Sequence, residues 1–246
     1  MFASEALDTD DPIPTILPET STRRIVAAMT DHEFWHQRWL RGEIGFHLDT
    51  VHPGLADYWT SVNAQALDPV LVPLAGKSLD MKWLAERGHE VVGVELDPNA
   101  AQMFFEEAGW TPHIDDAQPL KRWHAANVTL FQGDFFDFRA DTPFQRFYDR
   151  AALIALPPAE RPRYLQHLAA QLAPGARGLL VTLEYPQDQM KGPPFSVKEA
   201  ELASQHHFDF RSLSRKDVLK SHPRFAQRGV DRLHEVVYLL ERRAVR

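Results

Sequence analysis

Cysteine is missing from all 246 residues of this chain. Its absence excludes disulfides, a thiolate nucleophile and any zinc site built on sulfur. A chain without disulfides suits a reducing compartment, and the cytoplasm is the expected location. Long apolar runs are missing too, since no stretch approaches the ~20 residues that a bilayer span needs. Positive charge is in deficit, with 27 Lys+Arg against 34 Asp+Glu and a net charge of −7. Nucleic acid and an anionic membrane surface are therefore not expected as partners, whereas a small molecule is. The first residues, MFASEALDTDDPIPTILPETSTRR, have neither a basic start nor a sustained apolar core, so no secretory signal is expected there. Residues 1–28 combine Asp8, Asp10 and Asp11 with prolines and Ser/Thr, which predicts a mobile leader before a single domain over 29–246. The chain as a whole is 44% hydrophobic and 25% charged, the composition of an ordinary globular protein. A monomer is expected.

The most informative stretch is Val70–Leu96, VLVPLAGKSLDMKWLAERGHEVVGVEL. Val70–Leu74 is an apolar run of the kind found in strands buried on both faces. Ala75–Gly76–Lys77 makes a turn, and Ser78 is a suitable helix N-cap. Leu79, Trp83 and Leu84 fall at helical spacing, and Gly88 stops the helix. Val91, Val92 and Val94 then run into Glu95. This is one βαβ unit with an acidic residue at the carboxyl end of its second strand, facing the crevice where open α/β sheets bind ligands. A carboxylate there suits the two hydroxyls of a ribose; the alternative is a strand that merely ends in Glu. The turn has one glycine, Gly76, where a dinucleotide fingerprint needs three. Gly76–Lys77–Ser78 resembles the end of a P-loop, but Leu71 stands where its first glycine belongs. A cofactor with a ribose and no phosphates remains, and S-adenosylmethionine fits.

Upstream, Asp31–Arg41 reads as a helix with Trp35 and Trp39 on one face. The pair packs in the core or forms a lid whose rings cover a planar or cationic ligand. His32–Glu33–Phe34–Trp35–His36 has the H-E-x-x-H spacing of a zinc helix, yet no recognised downstream motif places a third ligand, and no metal is expected. A helix is expected over Leu55–Leu67. Asp97–Pro98 opens another, ending near Gly109. Residues 110–126 read as a connection, and Val128–Phe131 as a strand followed by Gly133–Asp134–Phe135. Asp134 is an exposed turn residue or an acceptor for an adenine amine, with Phe135 packed on the ring. Phe144–Arg150 is a further strand ending in Asp149–Arg150. For Arg150 the alternatives are an ion pair with Asp149 or Glu184, or contact with an anionic acceptor. A helix over Ala159–Leu172 stops at Pro174–Gly175, and Gly178–Tyr185 is the next strand. Gly192–Phe195 forms a stiff loop, and His206–Ser212 and Leu233–Glu241 form an antiparallel edge pair. The alternation predicts a doubly wound, mostly parallel α/β sheet of about seven strands, with helices on both faces and an antiparallel last strand.

FWHQRWLRGEIGFH, VLVPLAGKSLDMKWLAERGHEVVGVEL, GDFFDF, YDRAALIALPPAERPRYLQHL and LLVTLEYPQDQMKGPPFSV together resemble the thiopurine S-methyltransferase family, over roughly residues 31–241. The resemblance implies a Rossmann-like class I methyltransferase that uses S-adenosylmethionine, yields S-adenosylhomocysteine and methylates sulfur in small aromatic thiols as detoxification. Bacterial members are also linked to selenium and tellurium oxyanions, which gives the alternative acceptor; a binding module without turnover is a third reading. By the same resemblance Trp35 and Trp39 cover the cofactor, Leu74 and Gly76 line its methionine end, and Glu95 holds the ribose. Asp134 and Phe135 bracket the adenine, and Arg150 faces both cofactor and substrate. Phe46 touches substrate, and Arg224 is a looser match to a second substrate-facing arginine. Bacterial relatives usually read VPLCGKS, so Ala75 is a departure that still leaves a small residue in the turn. The implied chemistry is direct in-line methyl transfer to sulfur, with Arg150 positioning the acceptor and no dedicated base.

Overall fold

The computed structural model describes residues 32–65 and 67–244. The expected leader, residues 1–28, lies outside them. The first described helix, α1, covers residues 32–40. The βαβ unit forms as its sequence requires. Strand β1 (Val70–Pro73) is buried along its length, helix α3 (Leu79–Glu86) is N-capped by Ser78, whose hydroxyl accepts from Asp80 N, and β2 (Val91–Glu95) runs parallel to β1. Before it, His52 N-caps α2 (Pro53–Tyr58), which passes into a 3-10 turn over Trp59–Val62 and ends at Asn63 in the left-handed region. The helix expected to reach Leu67 therefore stops five residues early. After β2, Asp97 caps α4 (Pro98–Ala108) with Pro98 at its first turn and Gly109 closing it.

Among the described residues the sheet has nine strands, more than the expected seven or so. Residues 113–125, expected as a connection, fold into a hairpin of β3 (His113–Ala117) and β4 (Leu120–Ala125), and β4 pairs antiparallel with β5 (Val128–Gln132). Trp123 packs on the core cluster around Phe105, and Leu120 is buried. Most other side chains of β3 and β4 are polar and exposed, so one face of the hairpin carries too little apolar alternation to announce a strand. Beyond β5 the sheet runs β2, β1, β6 (Phe144–Arg150) and β7 (Leu172–Glu184), all parallel. Strand β9 (His234–Arg242) pairs antiparallel with β7 and with β8 (Phe208–Asp217), which gives the expected antiparallel edge pair. Strand β7 begins earlier than expected. Phe144 pairs with Leu172 and Arg146 with Arg177, so Pro174 and Gly175 occupy a bulge and do not end a helix. Helix α6 (Arg161–Ala170) has already stopped.

Alternation along the central strands divides the interior in two. Val70 and Val72 face one side with Leu55 of α2, Met81 and Leu84 of α3, and Phe104 of α4. Leu71 and Phe147 face the other with Leu153 of α5 (Ala152–Ala155), Tyr164 and Leu168 of α6, and Leu202 of α7 (Glu199–Ser204). Helices thus cover both faces, and the parallel strand ends meet at one edge of the sheet. Gly178 pairs with Phe147 of β6, and a Cβ there would collide with the carbonyl oxygen and ring of Phe147. Gly178→Ala is expected to cost about 1–3 kcal/mol in urea unfolding, as overpacking of a filled core does.

Candidate active site

The carboxyl ends of β1, β2, β5 and β6 bring most of the expected residues together. Leu74 and Gly76 follow β1 with positive φ values of 46° and 56°. Within this turn Ala75 N donates to Val94 O at 2.9 Å. Glu95 closes β2 and is buried. Its Oε2 accepts from Gly76 N and its Oε1 from Asp97 N, both at 2.8 Å. The carboxylate therefore clips together the loops after β1 and β2. Burial pushes its pKa up from 4.5 to about 7, and the nearby Asp97 charge adds to the rise; the two backbone donors pull the other way. No cation partners Glu95 among the described hydrogen bonds and ion pairs, so the site suits neutral donors such as hydroxyls.

Above this turn sits an aromatic cluster. Trp35 and Trp39 of α1 each meet Phe46 edge to face, with ring centroids 5.7 and 5.5 Å apart. Trp39 is buried, and its indole lies 3.4 Å from where a Gly76 Cβ would stand. Trp39 thus lies over the turn after β1 while it packs on Phe46, and Trp35 packs on the same ring. Leu74 is half-buried and packs against the cluster around Leu71 and Phe147.

Arg150 ends β6 beside this cluster, and its partner is neither Asp149 nor Glu184. Its Nε donates to Asp80 Oδ2 at 3.0 Å and its Nη1 to the Phe46 carbonyl at 3.2 Å. Asp149 instead accepts from Tyr164 Oη at 2.6 Å and from Leu153 N; burial raises its pKa to about 6. Glu184 pairs with Arg215 on the far side of the sheet's antiparallel end. Neighbours in sequence point to opposite faces of a strand, which is why Asp149 cannot serve Arg150. Asp80, in the first turn of α3, is the residue that sequence reasoning missed. It is 1% exposed and also accepts from His52 N at 2.8 Å and Tyr148 Oη at 3.0 Å. Its only sequence signal was its place two residues after the N-cap Ser78, where an acid is common for helix reasons alone.

Arg224, on α8 (Pro223–Gln227), lays its guanidinium against Gly45, one residue from Phe46. Both expected arginines therefore reach the loop over residues 42–47. Asp134 caps the 3-10 turn after β5 through Phe136 N, and its Oδ2 lies 3.2 Å from His32 Nε2. Phe135 is placed apart from the others: its ring is buried on the core side against Tyr164 and His167. Tyr185 Oη donates to the Pro194 carbonyl, and Phe195 N donates to the Ile154 carbonyl. Among the described residues no group of three or more His, Asp or Glu has a metal-binding arrangement.

The ionisation of Glu95 gives a testable slope. A folded pKa of about 7 above the ordinary 4.5 means the folded protein holds this proton more tightly. The stability it supplies is present below about pH 4.5 and is lost as pH rises through about 7. Glu95→Gln is expected to flatten this part of the stability–pH curve of the ligand-free protein, measured by denaturant unfolding from about pH 5 to pH 8. Asp80→Ala, by contrast, leaves Arg150 unpaired and is expected to cost about 3–5 kcal/mol at any of these pH values.

Comparison with known proteins places the chain in a family. The family model for thiopurine S-methyltransferase matches residues 30–243. A thiopurine S-methyltransferase of Pseudomonas aeruginosa is 49% identical over 214 residues, covering 85% of this chain and 98% of the relative. One of Bordetella petrii is 44% identical over 216 residues, covering 86% and 99%. Among solved structures, the fold matches 1,6-didemethyltoxoflavin-N1-methyltransferase of Burkholderia thailandensis, bound to 1,6-didemethyltoxoflavin and S-adenosylhomocysteine, with a TM-score of 0.60 at 18% identity and coverage of 98% and 99%. It also matches a Geobacter sulfurreducens methyltransferase in complex with S-adenosylhomocysteine, with a TM-score of 0.57 at 16% identity and coverage of 78% and 92%. The chain belongs to the thiopurine S-methyltransferase family and is a methyltransferase enzyme.

Proposed function

We propose that the chain transfers a methyl group from S-adenosylmethionine to the sulfur of a small aromatic or heterocyclic thiol, as a cytoplasmic monomer acting in detoxification. The observation that carries this reading is the meeting of Glu95, Gly76, Trp39, Phe46 and Arg150 at one edge of the sheet. The residues present fit the cofactor. Glu95 offers a buried acceptor to the ribose hydroxyls, Gly76 leaves room beneath Trp39, and the Trp35, Trp39 and Phe46 rings offer faces to a sulfonium. When bound, S-adenosylmethionine supplies an already activated methyl group, so the protein has mainly to position the acceptor and exclude water.

Arg150 does the positioning. Asp80 fixes its Nε edge, which leaves its outer edge directed at the loop that carries Phe46. A guanidinium so placed favours the thiolate form of an acceptor and holds it without removing the proton itself. Phe46 supplies an aromatic wall, and Arg224 supplies a second positive group against Gly45. Asp134 is read as the acceptor for the adenine amine, with the Phe135 backbone beside it and Leu74 at the methionine end. Two guanidiniums at one loop also suit a selenium or tellurium oxyanion, and this is the alternative acceptor class.

The first experiment is transfer of a labelled methyl group from S-adenosylmethionine to 6-mercaptopurine, with selenite and tellurite in parallel. Labelled S-methyl product from the thiol is the expected result. Labelled product from the oxyanions alone would replace the thiol as substrate. No transfer at all, with S-adenosylhomocysteine binding shown in the same sample, would leave a binding module. Affinity for S-adenosylhomocysteine is expected to rise between about pH 6 and pH 8 as Glu95 ionises, because a carboxylate accepts ribose hydroxyls better than a neutral acid does. Calorimetric titration of Glu95→Gln should show weak binding with little of that rise.

A further inference from the structure

The two histidines of the H-E-x-x-H stretch each face a carboxylate of a neighbouring loop. Four residues apart on α1, they project from one face of the helix. His36 Nδ1 donates to Asp97 Oδ2 at 2.6 Å, the proton belonging to the imidazole because a carboxylate only accepts. His32 Nε2 lies 3.2 Å from Asp134 Oδ2. The two carboxylates are built alike. Asp97 Oδ1 takes Asn99 N and Ala100 N at the start of α4, and Asp134 Oδ1 takes Phe136 N at the start of its 3-10 turn. Each acid thus spends one oxygen on capping its own turn and leaves the other for α1.

These acids stand in the loops after β2 and β5, the two loops that flank Glu95. Asp97 N is itself one of the two donors to the Glu95 carboxylate. Trp39 lies one turn beyond His36 on α1, over Gly76. A helix pinned at His32 and His36 therefore carries Trp39 across the crevice and keeps it there. The two pins differ in strength. Asp97 has a side chain 1% exposed against 27% for Asp134, so water screens the His36 pair less.

We infer that His32 and His36 are positioning residues that latch α1 over the cofactor crevice and set how fast the cofactor leaves. The inference rests on the cofactor reading above. It also makes Asp134 a shared acceptor, since its Oδ2 faces His32 on one side and is the oxygen left for an adenine amine.

The test is the dissociation rate of S-adenosylhomocysteine, followed by rapid displacement from wild type and from His36→Ala, His32→Ala, His36→Gln and Glu95→Gln. His36→Ala should release it about tenfold faster, the scale of one hydrogen bond to a charged partner. His32→Ala should do so about threefold faster, as expected of a more exposed pair. His36→Gln, which retains an N–H donor, should recover part of the loss. Amide exchange over residues 32–40 in the ligand-free protein should quicken in His36→Ala while its overall melting temperature holds. Wild-type release in both alanine variants, with Glu95→Gln impaired, would overturn the latch and leave the cofactor site standing. Equal melting losses in His36→Ala and His36→Gln with unchanged release would make the pair merely structural. Absence of binding to the wild type would overturn the cofactor reading and the latch with it.

Discussion

Asp80 is the constraint on which the site depends. A carboxylate removed from water is costly unless its oxygens are satisfied, and here two separate pieces of chain supply three donors. The His52 backbone comes from the entry to α2, and Tyr148 and Arg150 come from β6. Helix α3, the approach to α2 and the end of β6 are therefore fixed relative to one another by a single buried charge. The consequence travels outward. Arg150, held along one edge, donates to the Phe46 carbonyl; Phe46 supports Trp35 and Trp39; and Trp39 rests over Gly76.

Glu95 shows how a second buried carboxylate can be given different chemistry on the same sheet. Asp80 is paired with a cation, whereas Glu95 meets only backbone N–H groups. Desolvation then dominates, and its proton is held up to about pH 7. The first environment immobilises a guanidinium. The second leaves an acceptor poorly compensated until neutral donors arrive, which fits its proposed place against a ribose. Loops after β1 and β2 meet at this acid because strand order puts β1 beside β2, and the parallel arrangement brings their carboxyl ends to one edge.

Central strands were legible because burial on both faces leaves a continuous apolar run. Val70–Pro73 and Val91–Glu95 are of this kind, and Ser78, Asp97 and Gly109 marked helix ends by chemistry that acts locally. The β3–β4 hairpin was not legible. Its outward face is polar, and its pairing with β5 is decided by an existing sheet edge, not by its own pattern. Pro174–Gly175 misled for a related reason. The dipeptide does break regular structure, but the break is a bulge inside β7, flanked by the Leu172–Phe144 and Arg177–Arg146 pairs with β6. Of the site, Glu95, Gly76, Trp39, Phe46 and Arg150 stood out by type and place. Asp80 did not, because an acid near a helix start has an ordinary local explanation.

The local and periodic part was readable from residue order alone: the βαβ unit, the acid at the end of β2, the aromatic helix and the family motifs. Local hydrogen bonds, apolar periodicity and residue type suffice for these, since each concerns neighbours along the chain. Only the tertiary structure decided the pairings. It gave Arg150 to Asp80 across 70 residues, sent Asp149 to Tyr164, turned the Phe135 ring into the core, and set His32 and His36 against Asp134 and Asp97. Which partner a buried charge finds depends on which strand faces and loop ends meet, and strand order settles that over distances to which no short motif is sensitive.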